Sequence, residues 1–135
     1  MTRPGRAEIV RAVDEPVSFQ RLQVALGVRD VGRSVAFYGR HFGFELISAM
    51  GDDFALLGRD GVTLALVSTS RPAVADFVSC YVYVSDVEAA REACIHSQLT
   101  PVGPLTTHPW GNRDFVVRDP DGHQLAFGQS TKVVS

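Results

Sequence analysis

The sequence predicts an α+β fold: two tandem βαβββ modules whose curved mixed sheets enclose a cavity. Three observations carry that prediction. Hydrophobic periodicity runs in the order strand, helix, strand, strand, strand, and does so twice. Val28-Arg29-Asp30-Val31 recurs as Val84-Ser85-Asp86-Val87, an offset of 56 residues, which marks an internal duplication. The strand faces towards the helices are apolar and the opposite faces smaller and more polar, as expected of a curved sheet with its helix outside and a cavity inside.

Met1 to Ser18 mixes Arg3, Arg6, Arg11, Glu8, Asp14 and Glu15 with Pro4 and Pro16 and shows no steady period. It reads as an arm (1–18), mobile or ordered only against a partner, and is expected to cross to a second copy. The first module is expected over 19–68. Leu22, Val24, Leu26 and Val28 alternate with Gln23, Ala25 and Gly27, so this stretch is a strand with two different surroundings. Asp30 caps a helix that carries Val31, Val35, Tyr38 and Phe42 at helical spacing and closes at Gly43. Strands follow at Phe44–Met50, Asp53–Gly58 and Val62–Val67, with turns at Gly51-Asp52 and Asp60-Gly61.

A linker over 69–76, with Pro72 and small residues, leads into the second module over 77–130, the whole forming one domain over 19–130. Val78, Cys80, Val82 and Val84 alternate with Ser79, Tyr81 and Tyr83. Asp86 caps a second helix with Val87, Ala90, Cys94 and Ile95 on one side. Thr100–Thr107 is irregular or a short strand, broken by Pro101, Gly103 and Pro104. Strands at Asn112–Arg118 and His123–Gln129 flank the turn Asp119-Pro120-Asp121-Gly122, which matches Arg59-Asp60-Gly61 but for two extra residues.

Composition narrows the function classes. The 135 residues carry a net charge of −2, with 45% hydrophobic and 21% charged residues, as in an ordinary globular chain. That balance lacks the basic excess of a general nucleic-acid binder. No run is apolar for long enough to span a membrane, no secretory signal is evident, and two cysteines are too few for a disulfide framework or zinc finger. A cytoplasmic protein with free thiols is expected. Cys80 and Cys94 fall on apolar faces and read as core. His41 and His96 sit near helix C-termini, where the dipole favours imidazolium. His108 precedes Pro109-Trp110 and could line a cleft mouth, whereas His123 points away from the cavity by parity with Leu125. The Asp119–Gly122 stretch lacks the further acids of a calcium loop and reads as a tight turn. Trp110, between Pro109 and Gly111, sits in a loop and off any periodic core face, which favours a ligand or interface role.

From Phe19 to Gln129 the arrangement resembles the vicinal oxygen chelate superfamily of glyoxalase I, extradiol dioxygenases and bleomycin resistance proteins. LGVRDVGRSVAFYGRHFGFEL (Leu26 to Leu46) and PWGNRDFVVRDPDGHQLAF (Pro109 to Phe127) carry the resemblance. Enzymes of that superfamily hold a divalent metal with one side chain from the first and one from the last strand of each module. The matching positions here are Gln23, Ala65, Ser79 and Ala126. Alanine cannot ligate and serine rarely does, so no metal and no other cofactor is expected.

Within the superfamily the chain is most similar to the bleomycin resistance branch, whose members are homodimers that sequester a planar cationic antibiotic in clefts at the subunit interface without modifying it. GDDFALLGRDGVTLAL (Gly51 to Leu66) puts Phe54, after the acidic pair Asp52 and Asp53, where that branch stacks an aromatic ring on the drug. PWG puts Trp110 where it supplies the opposing ring. The resemblance thus implies a homodimer that binds a small aromatic antibiotic or flat metabolite; the charge balance and the lack of a long apolar run add the expectation of no nucleic-acid or membrane partner. The expected ligand residues are Phe54, Trp110, Tyr81, Tyr83, Gln23, Ser79, Asp52, Asp53 and Arg113, of which Tyr81 and Tyr83 follow from their strand parity with Ser79, and Arg113 could contact a ligand or pair with an acid. Members that sequester bleomycin are usually distinctly acidic, so the charge of −2 leaves room for a less cationic ligand. Two other classes stay open: a metal-dependent lyase, isomerase or dioxygenase with non-standard ligands, and a regulatory module with an empty cavity.

Overall fold

The computed structural model describes residues 16–132, so the expected arm lies outside the described residues except for its last three. Elements follow the predicted order: β1 (Val24–Val28), α1 (Val31–Phe42), β2 (Glu45–Met50), β3 (Phe54–Arg59), β4 (Val62–Ser68), β5 (Val78–Tyr83), α2 (Val87–His96), β6 (Val102–Thr107), β7 (Asn112–Arg118) and β8 (Gln124–Ser130). They form two four-stranded sheets, ordered β1-β4-β3-β2 and β5-β8-β7-β6. In each sheet the first and last strands of the module run parallel, and the other pairs are antiparallel.

Local chemistry fixes both helices. The Asp30 carboxylate accepts from Arg33 N–H at 2.9 Å and that of Asp86 from Ala89 N–H at 3.0 Å, satisfying donors that the first turn leaves open. Gly43 ends α1 in the left-handed region at φ 69°, where any Cβ is strained. Ser97 ends α2 instead, and Gln98 takes the left-handed conformation at φ 70°.

The modules meet through their helix sides and share one core that includes Leu26, Tyr38, Phe42, Leu57, Val87, Cys94, Phe115 and Phe127. Phe42 and Phe127 bring rings from the two modules to 4.9 Å. His41 Nδ1 lies 2.7 Å from Ser97 Oγ. These two residues are equivalent under the 56-residue repeat, so the pseudo-twofold axis runs between the helix C-termini.

On one side of that axis a polar latch joins the modules. Tyr38 donates its buried hydroxyl to Asp119 at 2.8 Å, and His123 donates from Nε2 to the Gly27 carbonyl at 2.7 Å. Asp121 accepts from Arg29 N–H at 3.1 Å and faces the Arg29 and Arg33 guanidinium groups at 3.4 Å. The Asp119–Gly122 turn is therefore more than a turn: its two carboxylates are buried and bind across the module boundary.

Several sequence expectations need correction. The sheets do not close over a cavity within one chain, because the modules join by their helix sides and leave the opposite faces open. Leu22 stays outside β1 and is 92% exposed, since the parallel ladder begins only at Val24 and Leu64. Phe19 is likewise exposed. Ile95 is exposed because it lies one residue past the stripe that buries Val87 and Cys94. Within Thr100–Thr107, expected as irregular or a short strand, Val102–Thr107 forms a short edge strand, β6.

Candidate ligand-binding site

The open face of the second sheet concentrates aromatic and polar groups. Alternation along β7 sends Phe115 and Val117 into the core and leaves Asn112, Asp114 and Val116 on the other side. Tyr81 and Tyr83 share that open parity on β5, with ring centroids 4.9 Å apart. The loop between β6 and β7 is a tight tip. Gly111 N–H donates to the His108 carbonyl at 3.1 Å, and His108 N–H donates to the Asn112 carbonyl at 2.7 Å. Gly111 holds φ +102°, a region that a side chain rarely adopts.

Trp110 stands at that tip, 64% exposed. One face of its indole is covered by the His108 imidazole, stacked at 4.3 Å with planes 10° apart. His108 Nε2 is 2.8 Å from Asp114 Oδ1, and the other Asp114 oxygen accepts from the Tyr81 hydroxyl at 2.9 Å. A carboxylate only accepts, so the imidazole donates from Nε2. Asn112 donates to the Tyr83 hydroxyl at 3.2 Å. Asp114 thus ties the loop carrying Trp110 to the tyrosines of β5. Partial burial first, and then the Asp114 bond and charge, push the Tyr81 hydroxyl up to about 12, so it stays protonated and donating near neutrality.

The other expected residues distribute as follows. Phe54 is half-buried at the start of β3, and Asp52 and Asp53 are exposed in the turn before it, all on the first sheet. Gln23 lies just before β1, exposed, and accepts from the Thr63 hydroxyl at 3.4 Å. Ser79 is half-buried on β5. Phe54 and Trp110 make no ring contact within one chain among the described residues. Arg113 takes the parity opposite to Asp114 and pairs with Glu88 of α2, which turns it off the face that carries Trp110.

Sequence reading missed Asp114 and Asn112. Their signal was present in the alternation of β7 but is invisible without knowing that Tyr81 and His108 converge there. For His41, burial first, and then the neighbouring Arg40 charge, pull the imidazole below its ordinary value, the direction opposite to the one its helix end favours. His123 is buried on the core side, as parity implied. Burial, followed by the Asp119 charge, raises the Cys80 thiol to about 11, so neither an adjacent base nor a thiolate marks it as a nucleophile.

The residues present do not fit the superfamily metal. Ala65 and Ala126 are buried on their strands and offer no donor, which leaves two of the four positions, Gln23 and Ser79, with a side-chain oxygen at all. Among the described residues no group of three or more His, Cys, Asp or Glu side chains converges as a metal site. No described helix is long and apolar enough to cross a membrane.

Comparison with known proteins places the chain among relatives. The profile of the Glyoxalase/Bleomycin resistance protein/Dioxygenase superfamily matches residues 20–127. A bleomycin resistance protein of Staphylococcus aureus is 28% identical over an alignment of 133 residues, which covers 80% of this chain and 95% of that protein. The bleomycin-binding protein of bleomycin-producing Streptomyces verticillus, solved with copper(II)-bleomycin, is 31% identical. It superposes with a TM-score of 0.71 over 82% of this chain and 96% of its own. TioX from Micromonospora sp. ML1 is 28% identical with a TM-score of 0.65, over 86% of this chain and all of its own.

Proposed function

The chain belongs to the Glyoxalase/Bleomycin resistance protein/Dioxygenase superfamily, and on that premise we propose that it binds and sequesters a flat aromatic antibiotic of the bleomycin kind, or a related metabolite, without modifying it. One observation carries the reading: the free face of Trp110, whose indole is braced from behind by His108 and Asp114. A braced ring loses little freedom on stacking with a planar ligand, which favours binding. The bleomycin-binding relative of Streptomyces verticillus, solved with its drug, supports the ligand class.

The cleft forms between two copies. Phe54, Asp52 and Asp53 of one copy face Trp110, Tyr81 and Tyr83 of the other, with Gln23 and Ser79 as flanking hydrogen-bond groups. Two features support this. Phe54 and Trp110 lie on separate open faces of one chain. The β2 edge also leaves Leu46, Ile47 and Met50 in water, Met50 at 71% exposure, as a surface that a second copy would cover. Asp52 and Asp53 supply negative charge for a cationic ligand group.

Trp110 is the sole tryptophan, so its fluorescence reports the site directly. Titration with bleomycin and other planar antibiotics is expected to quench it saturably, and Phe54→Ala to abolish the response. Mixing Phe54→Ala with Trp110→Ala, each inactive alone, restores one intact cleft per mixed dimer. Quenching that survives Phe54→Ala, or mixing that restores nothing, overturns the shared cleft.

A further inference from the structure

The internal repeat brings two equivalent seams between the modules, and among the described residues only one is filled. On the filled side Tyr38 and the Asp119–His123 turn make the latch described above. On the other side the repeat places Cys94 where the first module has Tyr38, and Ala90 where it has Ser34. The matching turn, Arg59-Asp60-Gly61, is two residues shorter. What those losses leave is a cavity of about 490 Å³ between α1, α2 and the β3–β4 turn. Its volume falls within the range of small-molecule sites.

Phe42, Phe44, Phe115 and Phe127 line the cavity, with Cys94 and Ala90 as its α2 wall. Arg59 stands on its lining and is anchored there, because its Nη1 donates to the Phe42 carbonyl at 2.8 Å while the side chain stays 59% exposed. Two acids also line it. Asp86 is committed to capping α2, and Asp60 is exposed on the solvent side, 3.6 Å from Arg59 Nε. The filled seam shows what the fold accepts at this position: an aromatic ring with carboxylates beside arginines.

We propose that the open seam is a second binding site, for an aromatic monoanion whose ring replaces the missing tyrosine and whose carboxylate or sulfonate sits at Arg59. The site lies on the helix side of both sheets; Tyr83, which also borders the open face, reaches its lining, whereas Trp110 does not, and the proposal does not depend on the antibiotic reading. An arylcarboxylate bound here bridges the modules as the Tyr38–Asp119 pair does on the other side.

The full chain titrated with 8-anilinonaphthalene-1-sulfonate is expected to give saturable, blue-shifted fluorescence at one site per chain. Cys94→Tyr, which restores the tyrosine of the repeat, is expected to abolish it. Arg59→Gln weakens the sulfonate probe by about tenfold, the size of one lost charge-assisted contact, and leaves the uncharged probe N-phenyl-1-naphthylamine unchanged. Trp110→Ala leaves both probes bound, which separates this site from the antibiotic face. Where circular dichroism shows Cys94→Tyr unfolded, Ala90→Leu fills the same wall. Absence of binding to the wild-type chain overturns the proposal. So does full binding to whichever filled variant folds, or equal weakening of both probes by Arg59→Gln.

Discussion

Tyr38→Phe removes a single oxygen from the latch that joins the modules. Tyr38 has no exposed surface, and its hydroxyl donates to Asp119 Oδ2 at 2.8 Å. The other Asp119 oxygen accepts from the backbone N–H groups of Asp121 at 3.0 Å and His123 at 2.9 Å. Phenylalanine keeps the ring contacts with Phe37, Phe42 and Phe44, so the cavity contribution is small. What is lost is one hydrogen bond to a buried carboxylate, a cost of about 1.5–3 kcal/mol. The urea midpoint falls accordingly while the slope stays fixed.

The pH dependence gives a second, independent reading of the same bond. Burial first, and then the Asp119 charge, hold the Tyr38 hydroxyl far above its ordinary 10.0. Below that ordinary value both folded and unfolded chains keep the proton and the full contribution is present. Above it the unfolded chain ionises while the folded chain does not, so the contribution falls as pH rises. Cys80 and Tyr81, raised to about 11 and about 12, weaken both proteins alike and cancel in the comparison. Urea unfolding of both proteins from neutral to strongly alkaline pH, followed by Trp110 fluorescence, measures the gap. The reasoning fails if the gap at neutral pH is under about 0.5 kcal/mol, the scale of an ordinary surface substitution. It fails equally if the gap does not narrow above the ordinary tyrosine value.

Three further outcomes are expected. Gly128→Ala sets a Cβ onto the Tyr81 hydroxyl oxygen, so the rigid ring must swing away from Asp114. This costs about 1–3 kcal/mol by thermal unfolding and weakens ligand quenching of Trp110. Asp114→Asn removes the charge and the strong bond that help raise Tyr81, so a near-ultraviolet titration should show that tyrosine ionising below about 12. The same variant frees His108 from its carboxylate and lowers antibiotic affinity. Gln98→Gly relieves a left-handed residue after α2 and stabilises by up to about 1 kcal/mol, read as a rise in melting temperature.

Element order was legible because each element declares itself within a few residues. The Asp30 and Asp86 caps, the closing Gly43 and the alternation of β1 and β5 act through bonds that span at most one turn or one pleat. Errors fell where a neighbour distant in sequence decides. Leu22 has the right parity for the core but lies beyond the point where β4 pairs with β1. Trp110 could be singled out because a lone tryptophan beside Pro109 and Gly111 fits no core stripe. Asp114 could not, since its partners Tyr81 and His108 come from β5 and from a loop. Arg113 was left between an acid and a ligand, and the structure gives it Glu88, because it faces the side of β7 opposite to Asp114.

The sequence by itself therefore determined the two βαβββ modules, their duplication, the absence of a metal-ligand set at the four expected strand positions, and Trp110 as a binding candidate. These follow from local periodicity, local capping and the identity of single residues. Only the tertiary structure decided that the modules join by their helix sides, that Asp119 and Asp121 form a latch, and that among the described residues one seam is filled and its equivalent open. Those features depend on contacts such as Tyr38 to Asp119, whose two ends lie 81 residues apart. They form only once both sheets are built and the shared core has fixed how one module sits against the other.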